Sequence, residues 1–252
     1  MQLLSIVYPA AAGIGLLLAS VQFLIWHRIP ERGEFLFGAA MSAAAGAMAL
    51  CEAGFLGTGS TERFLVLMEI ANVAVAATLI AMVWFVRNRL QTGRRWLAWG
   101  VTVSWTLCAA ISIFGAGNIA FSALDGVEQL QTSWGEIYSV PVGTIHPLKI
   151  ITDLTSLAIL IFVIDASVSA FRKGERRAAL LVGGPIVFFI VVAGIHTPLV
   201  DAGVFRTPYI ISLVFVAISV ALAVGLVDDV ARSAVLTRRL ELERQRWNAL
   251  LD

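Results

Sequence analysis

A chain of 252 residues that is 59% hydrophobic and only 14% charged, with a mean hydropathy of +0.86, carries more apolar surface than one globular core can bury, since soluble domains run near 45–50% apolar and about 25% charged. Lipid is the solvent that this composition calls for. A net charge of +1, with no basic patch interleaved with aromatics, excludes a nucleic-acid partner.

Seven apolar runs are long enough to cross a hydrocarbon core, which takes roughly 20 residues. In chain order they lie near 4–26, 36–57, 64–86, 96–115, 149–171, 178–198 and 208–230, so the expected fold is an all-α membrane protein, a seven-transmembrane helix bundle occupying residues 1–230. The first run has no basic n-region and no small-x-small cleavage site, which makes it a retained helix and not a signal peptide. Pro30, Arg32 and Gly33 part the first run from the second, and Gly57-Thr58-Gly59-Ser60 part the second from the third. Cys51 and Cys108 sit inside apolar runs without CxxC or Cys/His spacing, so they read as small buried hydrophobes.

The connection over 116–148 is long, and long connections with little helical pattern are commonly functional or disordered. Trp134, Tyr138, Pro141 and Pro147, with the short run Glu136–Val140, favour an ordered cap built on a small hairpin. After Val230 the composition changes. Residues 231–252 are charged, rich in helix formers and free of Gly and Pro, so the last helix is expected to continue unbroken from Val227 through about Leu250. Leu236, Leu240, Trp247 and Leu250 fall on one side, with Glu243 at the missing seam position. A solvated amphipathic end is the simpler reading. A coiled-coil signalling helix that pairs with a second copy is the functional one, and the lack of a C-cap residue before Asp252 favours it.

Basic residues orient the bundle. Fifteen fall on one side, in the loops after the first, third and fifth runs and in the tail, whereas only Arg63, Lys149 and Arg206 fall on the other. This asymmetry predicts an N-terminus outside and a C-terminus in the cytoplasm. Trp26, Trp84, Trp96 and Trp99 mark the same inner boundary, as an interfacial belt does.

Ionisable residues inside spans are expensive and point to function. Glu52, Glu69, Asp153 and His196 all fall at the outer level, with Asn72 one turn from Glu69 and His146, Asp201 and Arg206 flanking. We expect an outward-facing polar pocket of Glu52, Glu69, Asn72, Asp153, His196 and His146, capped by Trp134 and Tyr138 of the 116–148 loop. The alternative is that each carboxylate pairs with Lys149, Arg63 or Arg206 for structural reasons. Asp165 lies toward the inner side near Ser167 and Ser169 and reads as helix–helix glue.

Several chemistries find no support. A retinal Schiff base needs a lysine in the last span, and the only lysines are Lys149 and Lys173, so no retinal or other cofactor is expected. There is no HxxxH or HxxE metal spacing, and no nucleophile–base pair that would make the chain an enzyme. A transporter of small molecules or ions remains an alternative, although inverted repeats are not evident. A passive membrane anchor is another.

The stretch FVIDASVSAFRKGERRAALLVGGPIVFF, followed by PLVDAGVFRTPYIISLVFVAISVALAVGLVDDVARSAVLTRRLELERQRW, resembles the N-terminal seven-transmembrane region of bacterial sensor histidine kinases. The resemblance is carried by the Asp165-Ala166 pair, the RKGERR loop, the GG-x-IVFF run, the PY that opens the last span and the DDVARSAVLTRRL exit. Residues about 150–250 share it strongly and the earlier spans in pattern only. Many relatives carry Glu-Leu-Ser before the exit Asp, where this chain has Gly225-Leu226-Val227. The resemblance implies a sensor module in the bacterial inner membrane that is homodimeric and precedes cytoplasmic PAS and kinase domains. The family does not fix the ligand, and a small solute, a lipid or quinone-like molecule or the state of the membrane itself is expected as the stimulus. From the tail's own pattern the relay is expected to run through Asp228, Leu236, Leu240, Glu243 and Trp247.

Overall fold

The computed structural model describes residues 3–114, 119–132 and 134–251, except for the side chains of 229, 232–237 and 242–251. Among these residues, seven helices alternate in direction: α1 (Leu4–Arg28), α2 (Gly33–Phe55), α3 (Thr61–Leu90), α4 (Arg95–Phe114), α5 (Lys149–Arg172), α6 (Arg176–Asp201) and α7 (Ile211–Leu251). All seven contain a stretch long and apolar enough to cross a bilayer, and the architecture is that of a multi-pass membrane bundle. Between α4 and α5 stand two antiparallel strands, β1 (Phe121–Gln131) and β2 (Ile137–Ile145), running in register from Phe121 opposite Ile145 to Gln131 opposite Ile137 with two bulges. The expected small hairpin is therefore present, and longer than the run Glu136–Val140.

Differences at the helix ends have local causes. α3 starts three residues earlier than its apolar run because the Ser60 hydroxyl accepts the Arg63 N–H at 3.3 Å, capping the first turn. It ends at Leu90, where Gln91 takes a left-handed φ of 49° and its N–H closes on the Arg87 carbonyl. α6 runs through Pro198 to Asp201. A proline costs one helical hydrogen bond, which does not stop this helix, and the Ala202 N–H still reaches the Pro198 carbonyl at 2.9 Å. α7 begins at Ile211 and not at 208. Tyr209 stays outside the helix, and its carbonyl accepts the Tyr8 hydroxyl at 2.5 Å. From Ile211 the helix continues without a break to Leu251.

The main core lies between the helices, built from Phe35, Met48, Met82, Phe85, Ile159, Phe162, Ile186 and Ile218. A second cluster (Phe55, Phe64, Met68, Phe121, Val200 and Tyr209) seats the hairpin on the ends of α2, α3 and α6. At the opposite end stand the loops that carry the basic residues. There the Thr92 hydroxyl donates to the Ala166 carbonyl at 2.8 Å, Arg94 lies 3.8 Å from Asp165, and Arg177 bonds Asp228. Asp165 of α5 thus faces Arg94 in the loop before α4 and not a neighbouring helix, and Asp228 joins α7 to the start of α6. Trp84 and Trp99 meet edge to face at this end, at 5.1 Å. In the tail Leu240 is exposed, while the side chains of Leu236, Glu243 and Trp247 lie outside the described residues.

Candidate functional site

Four of the seven helix N-termini, those of α1, α3, α5 and α7, face the hairpin end. The first amides of a helix lack intrahelical acceptors and carry the positive end of its dipole. Two glutamates supply what they lack. Glu136, in the hairpin connection, accepts the Leu4 N–H at 2.8 Å and the Ser5 N–H at 2.9 Å, and also bonds the Ser5 hydroxyl and the Trp134 indole. Glu52, 3% exposed near the end of α2, accepts the N–H and hydroxyl of Ser212 in the first turn of α7, at 3.1 and 2.5 Å.

Burial pushes the Glu136 carboxyl up, but the N–H groups of Leu4 and Ser5, the Trp134 indole and the Ser5 hydroxyl outweigh it and bring it down to about 2. A depressed carboxyl adds stability that is present above its unfolded value and lost as pH falls toward the folded one. The window is therefore about pH 4.5 down to about 2. The thermal midpoint of the unaltered protein should fall across that window more steeply than that of Glu136→Gln, which should already be less stable at pH 6. Parallel curves would show that the carboxylate does not hold α1.

A polar chain continues inward from the same end. Tyr8 donates to the Tyr209 carbonyl, the Tyr209 hydroxyl donates to Asp201 at 2.7 Å, and Asp201 sits 2.9 Å from the Lys149 ammonium. Lys149 is also 3.7 Å from Asp153. Lys149, Asp153 and Asp201 lie at the rim of a cavity of about 540 Å³ between α3, α4, α5, α6 and α7. Asn72, Val75 and Leu79 face it from one stripe of α3, Trp105, Cys108 and Ser112 from one stripe of α4, and Ile211 and Phe215 from α7.

The expected pocket is only partly assembled. Asn72 and Asp153 line the cavity. Glu52 is taken up by Ser212, and Glu69, one turn nearer the hairpin than Asn72, is not among the cavity-lining residues. His196 lies 3.1 Å from the Thr207 hydroxyl through Nε2, while its neighbours Ile195 and Thr197 face the cavity. His146 accepts the Leu148 N–H at 3.0 Å and shapes the entry to α5. Trp134 is exposed on Glu136, and Tyr138 is buried with its hydroxyl on the Arg206 carbonyl. A common level in the membrane is not a common face, because successive residues turn by about 100°. Trp105 and Ser112 escaped the sequence reading and Cys108 was read only as a small buried hydrophobe, although their i, i+3, i+7 spacing marks one face.

A search of family models, of curated proteins and of solved structures finds no match to this chain.

Proposed function

We propose that this chain is the membrane-embedded sensory module of a bacterial two-component histidine kinase, set in the inner membrane with its N-terminus outside. A ligand entering the hairpin-end cavity would bias the bundle, and α7 would carry the bias to a cytoplasmic output domain. One observation carries this reading: α7 lines the cavity with Ile211 and Phe215 and continues as one helix to Leu251. A ligand can shift an equilibrium only by binding its two states differently, and a helix that is both cavity wall and output rod gives such a difference a path. The resemblance of residues 150–250 to kinase sensor regions supports the same reading, as does the concentration of basic residues at the end from which α7 emerges. The rod would act in a homodimer, through a seam shared with a second copy.

The test is a fusion of this chain to a dimeric histidine-kinase core, with one to seven residues inserted after Leu236. Each added residue turns the output by about 100°. Autophosphorylation in membranes should alternate with insertion length and recover near seven. A flat series would mean that the tail is a tether and the chain a passive anchor.

A further inference from the structure

The cavity has features that select among ligands. Its volume of about 540 Å³ falls inside the roughly 300–1,000 Å³ range of small-molecule sites. Deep in the bundle its walls are apolar, with Leu79, Ile190 and Phe215, and polar side chains collect at the rim. The α4 stripe differs. Trp105 and Ser112 are 7% and 3% exposed, both line the cavity, and neither the indole N–H nor the Ser112 hydroxyl has a hydrogen-bond partner among the described residues. Buried donors are almost always satisfied, because leaving one unpaired forfeits its hydration without return. Two such donors on cavity-lining residues, both enclosed in this structure, would reach the cavity once their side chains turn, and the described residues supply neither with an acceptor.

Charge narrows the class further. Lys149 is the one cation among the described lining residues, and Asp201 at 2.9 Å and Asp153 at 3.7 Å already match it. An anion would have to displace the Asp201 carboxylate from a largely buried pair, which is costly. An alkyl chain would fill the apolar depth but leave both donors unpaired.

We infer that the cavity binds an uncharged lipophilic molecule bearing a carbonyl-type acceptor, held by the Trp105 indole N–H or the Ser112 hydroxyl, with its apolar body against Leu79, Ile190 and Phe215. The two donors sit seven residues apart on α4, about 10 Å along its axis, so an elongated molecule with a carbonyl near one end fits either polarity. This inference deepens the sensory reading and rests on it for its biological meaning. The assay below reads occupancy alone, so it can fail while the insertion series succeeds, and the reverse.

Cys108 lies on the same stripe as a free thiol and serves as the reporter. In a Cys51→Ala background, the chain is placed in nanodiscs of ether-linked phosphatidylcholine, whose chains carry no ester carbonyl, and alkylated with N-ethylmaleimide. The probe is 2-undecanone, compared with undecane and undecanoate. The ketone should slow alkylation of Cys108 at lower concentration than either comparator. Its half-protecting concentration should rise about 3- to 10-fold when Trp105→Phe and Ser112→Ala are combined, as the loss of one hydrogen bond predicts, and by less in either variant alone, with undecane unaffected and the unprotected rate unchanged. In ester-linked nanodiscs the ketone should still add protection. If it adds none there, the acceptor is a lipid ester and the inference of a free ligand fails. Equal protection by undecane, stronger protection by undecanoate, or a Cys108 that never reacts would each overturn it. The comparison of probes on the unaltered α4 stripe needs neither variant to fold.

Discussion

Replacing Glu52 with alanine should cost on the order of 3 kcal/mol and lower the thermal midpoint in detergent by roughly 6–12 °C. The carboxyl is 3% exposed and both its oxygens are used, one by the Ser212 N–H at 3.1 Å and one by the Ser212 hydroxyl at 2.5 Å. Ser212 is the second residue of α7, where the amide has no partner inside the helix. Alanine removes both acceptors from a site that water does not reach, and the orphaned amide accounts for most of the loss. Glu52→Gln keeps one acceptor oxygen, so its cost should be under half as large. In the pair Glu52→Ala and Ser212→Ala the effects should be less than additive, because the second change removes a hydroxyl already stranded by the first. A Glu52→Ala protein with an unchanged midpoint would mean that the contact is not structural, and would return Glu52 to the list of ligand-binding residues.

The two glutamate caps show where sequence reading stops. That Glu52 lay in a span was legible, and so was its level near the hairpin end, because apolar runs and basic loops set depth. Its partner was not legible. Ser212 is 160 residues away, and nothing in either segment names the other. Glu136 reaches across 132 residues to Leu4 and sits in a loop whose aromatics pointed to order but not to its target. The seven helices, the hairpin and the unbroken α7 follow from local pattern, so they could be read. The cavity needs the azimuth of five helices at once. Only Asn72 and Asp153 among the expected pocket residues face it, since a polar residue in a span is as readily consumed by a neighbouring helix end as offered to a ligand. The α4 stripe went unread because Trp, Cys and Ser inside an apolar run look like ordinary packing.

The caps also bear on how the bundle would move. Glu136 ties the hairpin to α1, and Glu52 ties the far end of α2 to the start of α7. The cavity lies on the other side of α7, against α3 through α6. α1, α2 and the upper end of α7 therefore form one pinned group. An occupant of the cavity would push against α7 from the α6 side, where Tyr209 reaches Asp201.

That pinned group depends on the close approach of α1 and α2, and Gly15→Val should be the most damaging single change on α1, at about 3 kcal/mol. Even a Cβ at Gly15 would lie 2.9 Å from both the Gly46 Cα and the Ser42 carbonyl oxygen, and 3.0 Å from the Gly46 nitrogen. These are backbone atoms, which cannot rotate away as a side-chain tip can. On the facing helix, a Cβ at Gly46 would meet the Ala12 carbonyl oxygen at 3.1 Å and the Leu16 nitrogen at 3.3 Å. Small residues four apart, Ala11 with Gly15 and Ser42 with Gly46, are what let membrane helices pack backbone to backbone when lipid offers no hydrophobic drive. Gly13 provides the control on the same helix, since nothing lies within 4 Å of its added Cβ. Gly13→Val should therefore stay within about 0.5 kcal/mol of the parent, and Gly13→Ala should be neutral or slightly stabilising through helix propensity. Thermal midpoints of Gly15→Val, Gly13→Val and Gly13→Ala in one detergent make the comparison direct. Equal midpoints for the two valine variants would mean that α1 and α2 are not in contact at Gly15, and the pinned group would lose its base.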